Sequence, residues 1–196
     1  MHTFASIYLA SQSPRRRELL DQIGVDYSVV AVDIDESRRD GETPAAYVQR
    51  LAMEKAVAGW QRAHALGMEP RPALGADTTV AIDDQVLGKP ADFAAARAML
   101  LQLSGRSHQV FTGVCLSDGA RTAAALSATT VWFRTLSEAD IETYWASGEP
   151  RDKAGAYGIQ GFGAMFIERI DGSYSGVVGL PLFETARLLQ QIFDPL

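Results

Sequence analysis

The chain has 196 residues, close to one compact domain at the usual ~150 residues per domain, and its 47% hydrophobic and 21% charged residues are ordinary for a globular protein. A formal charge of −6 weighs against a general nucleic-acid coat, which needs a basic face. The single cysteine, Cys115, rules out an intrachain disulfide framework, and no Cys/His spacing fits a zinc ribbon. No apolar run reaches the ~20 residues of a membrane helix. The opening MHTFASIYLASQSPRRR lacks a basic stretch before its short apolar run, so a secretory signal is not expected. A reducing, cytoplasmic setting follows as the expectation.

In chain order, Ile7 to Ala10 reads as a short buried strand. Ser13 stands at a helix N-cap with Pro14 at the first helical position, and Leu19, Leu20 and Ile23 supply that helix's apolar side before Gly24. Tyr27 to Val32 has the β-branched character of a second strand. Thr43-Pro44 opens a helix in which Tyr47, Val48, Leu51, Ala52, Ala56 and Trp60 recur at three and four residues, burying one face. Ala73 through Ile82 is a strand, turned by Asp83-Asp84 into Val86-Leu87. An alanine-rich helix follows, capped by Asp92 and stopped by Gly105. Val110 to Leu116 and Thr129 to Phe133 are strands on either side of the Asp118-Gly119 turn. Ser137 caps another helix, Glu149 to Gly163 is a structured loop, Ala164 to Ile170 a strand, and Pro181 starts the last helix. The alternation of strands and helices predicts one mixed α/β domain spanning residues 1–196.

Three segments carry chemistry. Arg15, Arg16 and Arg17 crowd the first turn of a helix, where cations oppose the helix dipole unless an anion compensates. With Ser11, Ser13 and the free N–H groups of the helix start, this segment suits a polyphosphate, although it matches no Walker or dinucleotide glycine pattern. Asp77 lies inside the apolar strand Leu74-Gly75-Ala76-Asp77-Thr78-Thr79-Val80, and a buried carboxylate needs a metal, a cation or water. Taken alone it reads equally well as a strand-end cap. Gly75 and Ala76 let something approach the backbone closely. Asp33-Ile34-Asp35-Glu36, Lys55 and Lys89 complete a set suited to metal-assisted phosphoryl chemistry, although each alone reads as a surface charge. His2, His64 and His108 stand in unrelated segments, and Cys115 reads as a core residue.

LASQSPRRRELL, the Asp35-Glu36 pair, RLAMEKA, LGADTTV, the GKP turn, SGRSHQVFTGV and DKAGAYGIQG occur in one order. In that order the sequence resembles the Maf family of nucleoside triphosphate pyrophosphatases, once described as septum formation inhibitors. The resemblance runs from Tyr8 to about Leu189. It implies a long mixed β-sheet with flanking helices in two lobes around a deep cleft, related to the inosine triphosphate pyrophosphatases. It also implies hydrolysis of a nucleoside triphosphate to monophosphate and pyrophosphate with a divalent cation, Mg²⁺ or Mn²⁺. By this resemblance Ser11, Arg15 and Arg16 hold phosphates, Asp77 is the proton acceptor, and Glu36, Lys55 and Lys89 surround phosphates and metal, with Glu36 and Asp77 as metal ligands. Arg15, Thr78 and Gln160 match the positions that separate subgroups, and their combination is similar to the subgroup acting on dTTP and UTP. Gln160 alone also reads as a solvated residue between glycines. The function classes that follow are an enzyme clearing nucleotide pools, a nucleotide-sensing regulator of septum formation without significant turnover, and, least, a nucleic-acid-binding module. The expected partner is the nucleoside triphosphate, with no nucleic acid and no membrane; a homodimer is the guess for assembly.

Overall fold

The computed structural model describes residues 5–193, so His2 and the first residues of the opening segment lie outside it. Its regular elements are β1 (Ile7–Leu9), α1 (Pro14–Gln22), β2 (Tyr27–Val29), α2 (Pro44–Ala65), β3 (Ala73–Ile82), β4 (Gln85–Leu87), α3 (Phe93–Leu103), β5 (Ser107–Ser117), β6 (Thr122–Phe133), α4 (Glu138–Ala146), β7 (Ile167–Asp171), α5 (Tyr174–Val178) and α6 (Leu182–Phe193). Three short 3₁₀ turns lie between Glu149 and Phe166. None of the described helices is long and apolar enough to cross a membrane.

The caps expected from sequence act as expected in three helices. Thr43, Asp92 and Ser137 accept from the N–H groups of Ala46, Ala95 and Asp140, and Ser137 with Asp140 completes a capping box. Ser13 sits at the N-cap of α1, but its side chain makes no capping bond there. The strands around Asp118-Gly119 are longer than expected, because β5 and β6 pair continuously from Ser107↔Trp132 to Ser117↔Thr122. Two boundaries move the other way. The second strand ends at Val29, and the expected strand at Ala164 starts only at Ile167, since Phe162–Phe166 is a 3₁₀ turn.

The strands form one mixed sheet of order β2-β1-β3-β5-β6-β7, with β4 also on β3. β1 is parallel to both β2 and β3; the remaining pairs are antiparallel. One edge of β3 is taken by β5 from Ala73 to Ala81. The other edge meets β1 at Ala73-Leu74 and β4 from Val80 to Ile82. Among the described residues no strand pairs that edge from Gly75 to Thr79, and this gap is where the sheet opens.

Two apolar cores meet the sheet on either side of the gap. Leu74, Ala76, Val114 and Leu116 pack with Leu20 of α1 and Leu189 of α6. Val80, Ile82 and Val110 pack with Leu100 of α3 and Ile141 of α4. These are the two lobes, and Asp77 and Thr78 lie between them on the shared strand.

Helix α2 crosses the opposite face of the sheet from α1 and α6, and glycine lets it come close. A Cβ on Gly75 would stand 2.2 Å from the Ala52 carbonyl oxygen and 2.4 Å from the Ala56 nitrogen. One on Gly113, the register partner of Asp77, would stand 2.4 Å from the Val48 carbonyl oxygen. Side chains alternate along β3, so Asp77 shares with Gly75 the face under α2. What approaches the backbone at Gly75 is therefore a helix of the protein itself.

His108 of β5 is 3% exposed and shares a 2.7 Å hydrogen bond between Nε2 and the Tyr157 hydroxyl, while Nδ1 finds no partner among the described residues. Burial pulls its pKa down from 6.5 to about 4. The unfolded chain therefore binds the extra proton first, and stability is lost as pH falls through the window from 6.5 to 4. At ~1.4 kcal/mol per unit, lowering the pH from 6.5 to 5 costs the folded state about 2 kcal/mol from this residue. Urea unfolding at the two pH values measures it. His108→Gln should flatten the dependence, and an unchanged slope would place its origin elsewhere.

Candidate active site

A cleft of about 790 Å³ opens at the gap in the sheet. Ser11, Arg15, Arg16, Glu36, Lys55, Asp77, Thr78, Lys89 and Gln160, all singled out from sequence, line it. They come from the β1–α1 loop, the first turn of α1, the segment before α2, α2 itself, β3, the turn after β4 and the loop after α4. Five cationic side chains, including Lys153, stand in its wall against three carboxylates, so an acidic chain carries a locally positive cleft. The loop leaving the carboxyl end of parallel strand β1 supplies one wall, the usual ligand position in such sheets.

At the floor, Lys55 Nζ lies 2.7 Å from Asp77 Oδ1 and 2.7 Å from Glu36 Oε1. Lys55 is 8% exposed, so the ammonium is held by the carboxylates rather than by water. Asp77 thus finds the cation that its strand position demanded. Its Oδ2 has no hydrogen-bond partner among the described residues. Two converging carboxylates next to a phosphate-sized cationic cleft are a hard-oxygen donor set. They fit a Mg²⁺-type ion, which takes one or two carboxylates together with substrate oxygens and water.

Glu36 belongs to a segment without regular structure, and two residues of α2 hold that segment. The Tyr47 hydroxyl donates to the Glu36 carbonyl at 2.8 Å. Arg50 pairs bidentately with Glu42 at 2.7 and 2.9 Å and donates to the Ser37 carbonyl at 3.0 Å. The Arg50 guanidinium holds the Glu42 carboxyl at about 2. The sequence places Tyr47 only on the buried face of its helix, and Arg50 with Glu54 reads as an ordinary helix-surface pair, so neither shows as an anchor of this segment.

The arginines divide their roles. Arg16 donates to the Gly179 carbonyl (2.8 Å), Ser11 Oγ (3.0 Å) and Thr78 Oγ1 (3.4 Å). Burial lowers its pKa, and it binds the β1–α1 loop to β3 and to the turn after α5. Arg15 reaches Asp152 Oδ2 at 3.2 Å, and Lys153 Nζ lies 2.8 Å from the same carboxylate's Oδ1. Arg15 and Lys153 thus bracket one exposed carboxylate at the cleft wall. Lys153 escaped the sequence reading as a site residue, although the DKAG motif contains it. Arg17 is exposed and Lys89 is exposed on the wall. Cys115 is fully buried, with burial pushing its thiol up to about 11, as a core residue.

Thr78 points to the face opposite Asp77, where its Oγ1 is 2.9 Å from Thr112 Oγ1, which donates to the Gly176 carbonyl at 2.7 Å. Gln160 is exposed at the cleft wall, on the loop that follows Lys153. The neighbouring glycines serve that loop's own packing. A Cβ on Gly158 would meet the Lys153 side chain at 2.7 Å, and one on Gly161 the Glu149 carboxylate at 2.1 Å.

Fold and cleft define a two-lobed α/β protein whose sheet gap presents a cation-rich pocket over a carboxylate–lysine–carboxylate floor. A family model described as Maf-like protein matches residues 6–192, and the chain belongs to that family. Among similar proteins, a dTTP/UTP pyrophosphatase of Chromobacterium violaceum is 55% identical over 185 residues, covering 94% of this chain and 93% of its own. Those of Pseudoalteromonas atlantica and Aromatoleum aromaticum are 56% identical over 186 residues and 52% over 201, covering 95% and 98% of this chain and 96% and 98% of their own.

Proposed function

We propose that this protein is a nucleoside triphosphate pyrophosphatase that hydrolyses dTTP and UTP to the monophosphate and pyrophosphate. The observation that carries the reading is the convergence of Asp77 and Glu36 on Lys55 at the floor of the cationic cleft. The names of relatives more than half identical along nearly the whole chain support the same substrates.

Hydrolysis needs a base for water and cations for the developing phosphate charge. Asp77 is the base: its carboxylate, held by Lys55 through Oδ1, takes the proton from the attacking water. Arg15, Lys55 and Lys89 neutralise the phosphates, and Ser11 with the start of α1, whose first turn carries no acidic residue, offers hydroxyl and N–H donors. Arg16 keeps that loop in place. Glu36 and Asp77 would hold a divalent cation, Mg²⁺ or Mn²⁺. Bound there, such an ion supplies charge neutralisation and lowers the pKa of water. The cytoplasmic setting and the homodimer expected from sequence belong to the same proposal.

Gln160 reads the base. Its amide carries a donor and an acceptor, matching a pyrimidine edge with O2, N3–H and O4. Thr78 and Arg15 complete the selection. Pyrophosphate release from dTTP, UTP, CTP and GTP with Mg²⁺ or Mn²⁺ tests the proposal. dTTP and UTP should be preferred, and Gln160→Ala or Gln160→Glu should lower kcat/KM for these two more than for GTP. A wild-type preference for GTP, or equal loss on all four, would overturn the base reading. Absence of pyrophosphate release would overturn the activity.

A further inference from the structure

The loop bearing Gln160 has no strand to hold it, yet both its flanks end on one pair of side chains. The Glu149 carboxylate accepts from the Tyr144 hydroxyl (Oε1, 2.7 Å), the Phe162 N–H (Oε2, 2.7 Å) and the Gly163 N–H (Oε1, 3.2 Å). The Tyr144 hydroxyl in turn accepts from the Gly158 N–H at 3.0 Å. Gly158 precedes Gln160, and Phe162 and Gly163 follow it. The contact is close on every side: a Cβ on Gly161 would stand 2.1 Å from Glu149 Oε2, and one on Gly163 2.6 Å from the Tyr144 hydroxyl. Tyr144 is 3% exposed and belongs to the core under α3 and α4. The loop is therefore referenced to a rigid lobe through a carboxylate and a phenol.

We propose that Glu149 and Tyr144 are positioning residues that set pyrimidine discrimination by fixing where the Gln160 amide stands. This rests on the reading of Gln160 as the base reader. Glu149 is an acceptor for three donors; the amide of Glu149→Gln replaces one accepting oxygen by a donor, so a loop N–H or the phenol loses its partner. Tyr144→Phe removes the hydroxyl and leaves the Gly158 N–H unpaired. Neither residue lines the cleft, so the phosphate-facing groups stay in place. Displacing a positioning group by ~1 Å can cost up to ~10²-fold in rate. Glu149→Gln should accordingly lower kcat/KM for dTTP and UTP by ~10-fold or more, mainly through KM, and narrow the preference over GTP by a similar factor. Tyr144→Phe should do the same to a smaller extent.

Steady-state kinetics on dTTP, UTP and GTP test this with wild type, Gln160→Ala, Glu149→Gln, Tyr144→Phe and the Glu149→Gln/Gln160→Ala double variant. The expected result is a dTTP-to-GTP ratio narrowed in every single variant, with the double variant no narrower than Gln160→Ala alone. If Gln160→Ala narrows the ratio while Glu149→Gln and Tyr144→Phe keep it, or lower all three substrates equally, the positioning role is overturned. If Gln160→Ala leaves the ratio unchanged, the base reading itself fails and the positioning role fails with it. Should Glu149→Gln not fold, Tyr144→Phe decides between these outcomes by the same ratio.

Discussion

Asp77→Asn should give a folded protein whose turnover of dTTP is lowered by ~10²–10⁴, the usual loss on removing a general base. Removing one partner of a buried ion pair commonly costs ~3–5 kcal/mol, because the other charge is stranded. Here Lys55 keeps Glu36 at 2.7 Å, and the amide oxygen of an asparagine can still accept from the ammonium. The stability cost should therefore fall below that range while the chemistry is lost. Steady-state turnover, with thermal melting followed by circular dichroism, separates the two effects. A folded variant with near-normal kcat would remove Asp77 from the mechanism.

The second large effect is structural and begins on the other side of β3. Gly75→Ala places a methyl 2.2 Å from the Ala52 carbonyl oxygen and 2.4 Å from the Ala56 nitrogen. Both are helix backbone, which cannot rotate away as a side chain can. Overpacking of a tight core typically costs ~1–3 kcal/mol. Because α2 itself must move, Gly75→Ala should reach the top of that range. The same movement carries Lys55 away from Asp77, so activity should fall further than stability alone explains. Urea unfolding and kcat/KM on one preparation check both. A change within ~0.5 kcal/mol and normal activity would show that α2 does not depend on this close approach.

Asp77 and Gly75 differ in how far the sequence alone reveals their part in the site. The strand Ala73–Ile82 was legible to its ends, because an apolar run with a clear Asp83-Asp84 turn leaves little choice. Asp77 stood out because a carboxylate there must find a partner, and the partner is Lys55, twenty-two positions earlier on a helix. That pairing was not legible from periodicity. It depends on Gly75 and Gly113 forming a bare strip, and a glycine in a strand says only that something comes near. Helix α5 escaped for a simpler reason: five residues show no helical period. Arg50 and Glu149 were hidden by their ordinary neighbours, since each looks like a surface charge until the segment it holds is folded over it. Charges that position loops act through distant backbone N–H and carbonyl groups, and no local spacing announces them.

Turnover of dTTP with Mg²⁺ in ¹⁸O-enriched water, followed by ³¹P NMR, identifies the products directly. Cleavage between the α- and β-phosphates gives dTMP and pyrophosphate in equal amounts, and this is the expected result. Release of dTDP and inorganic phosphate, or no turnover of any triphosphate by the folded protein, would contradict the account.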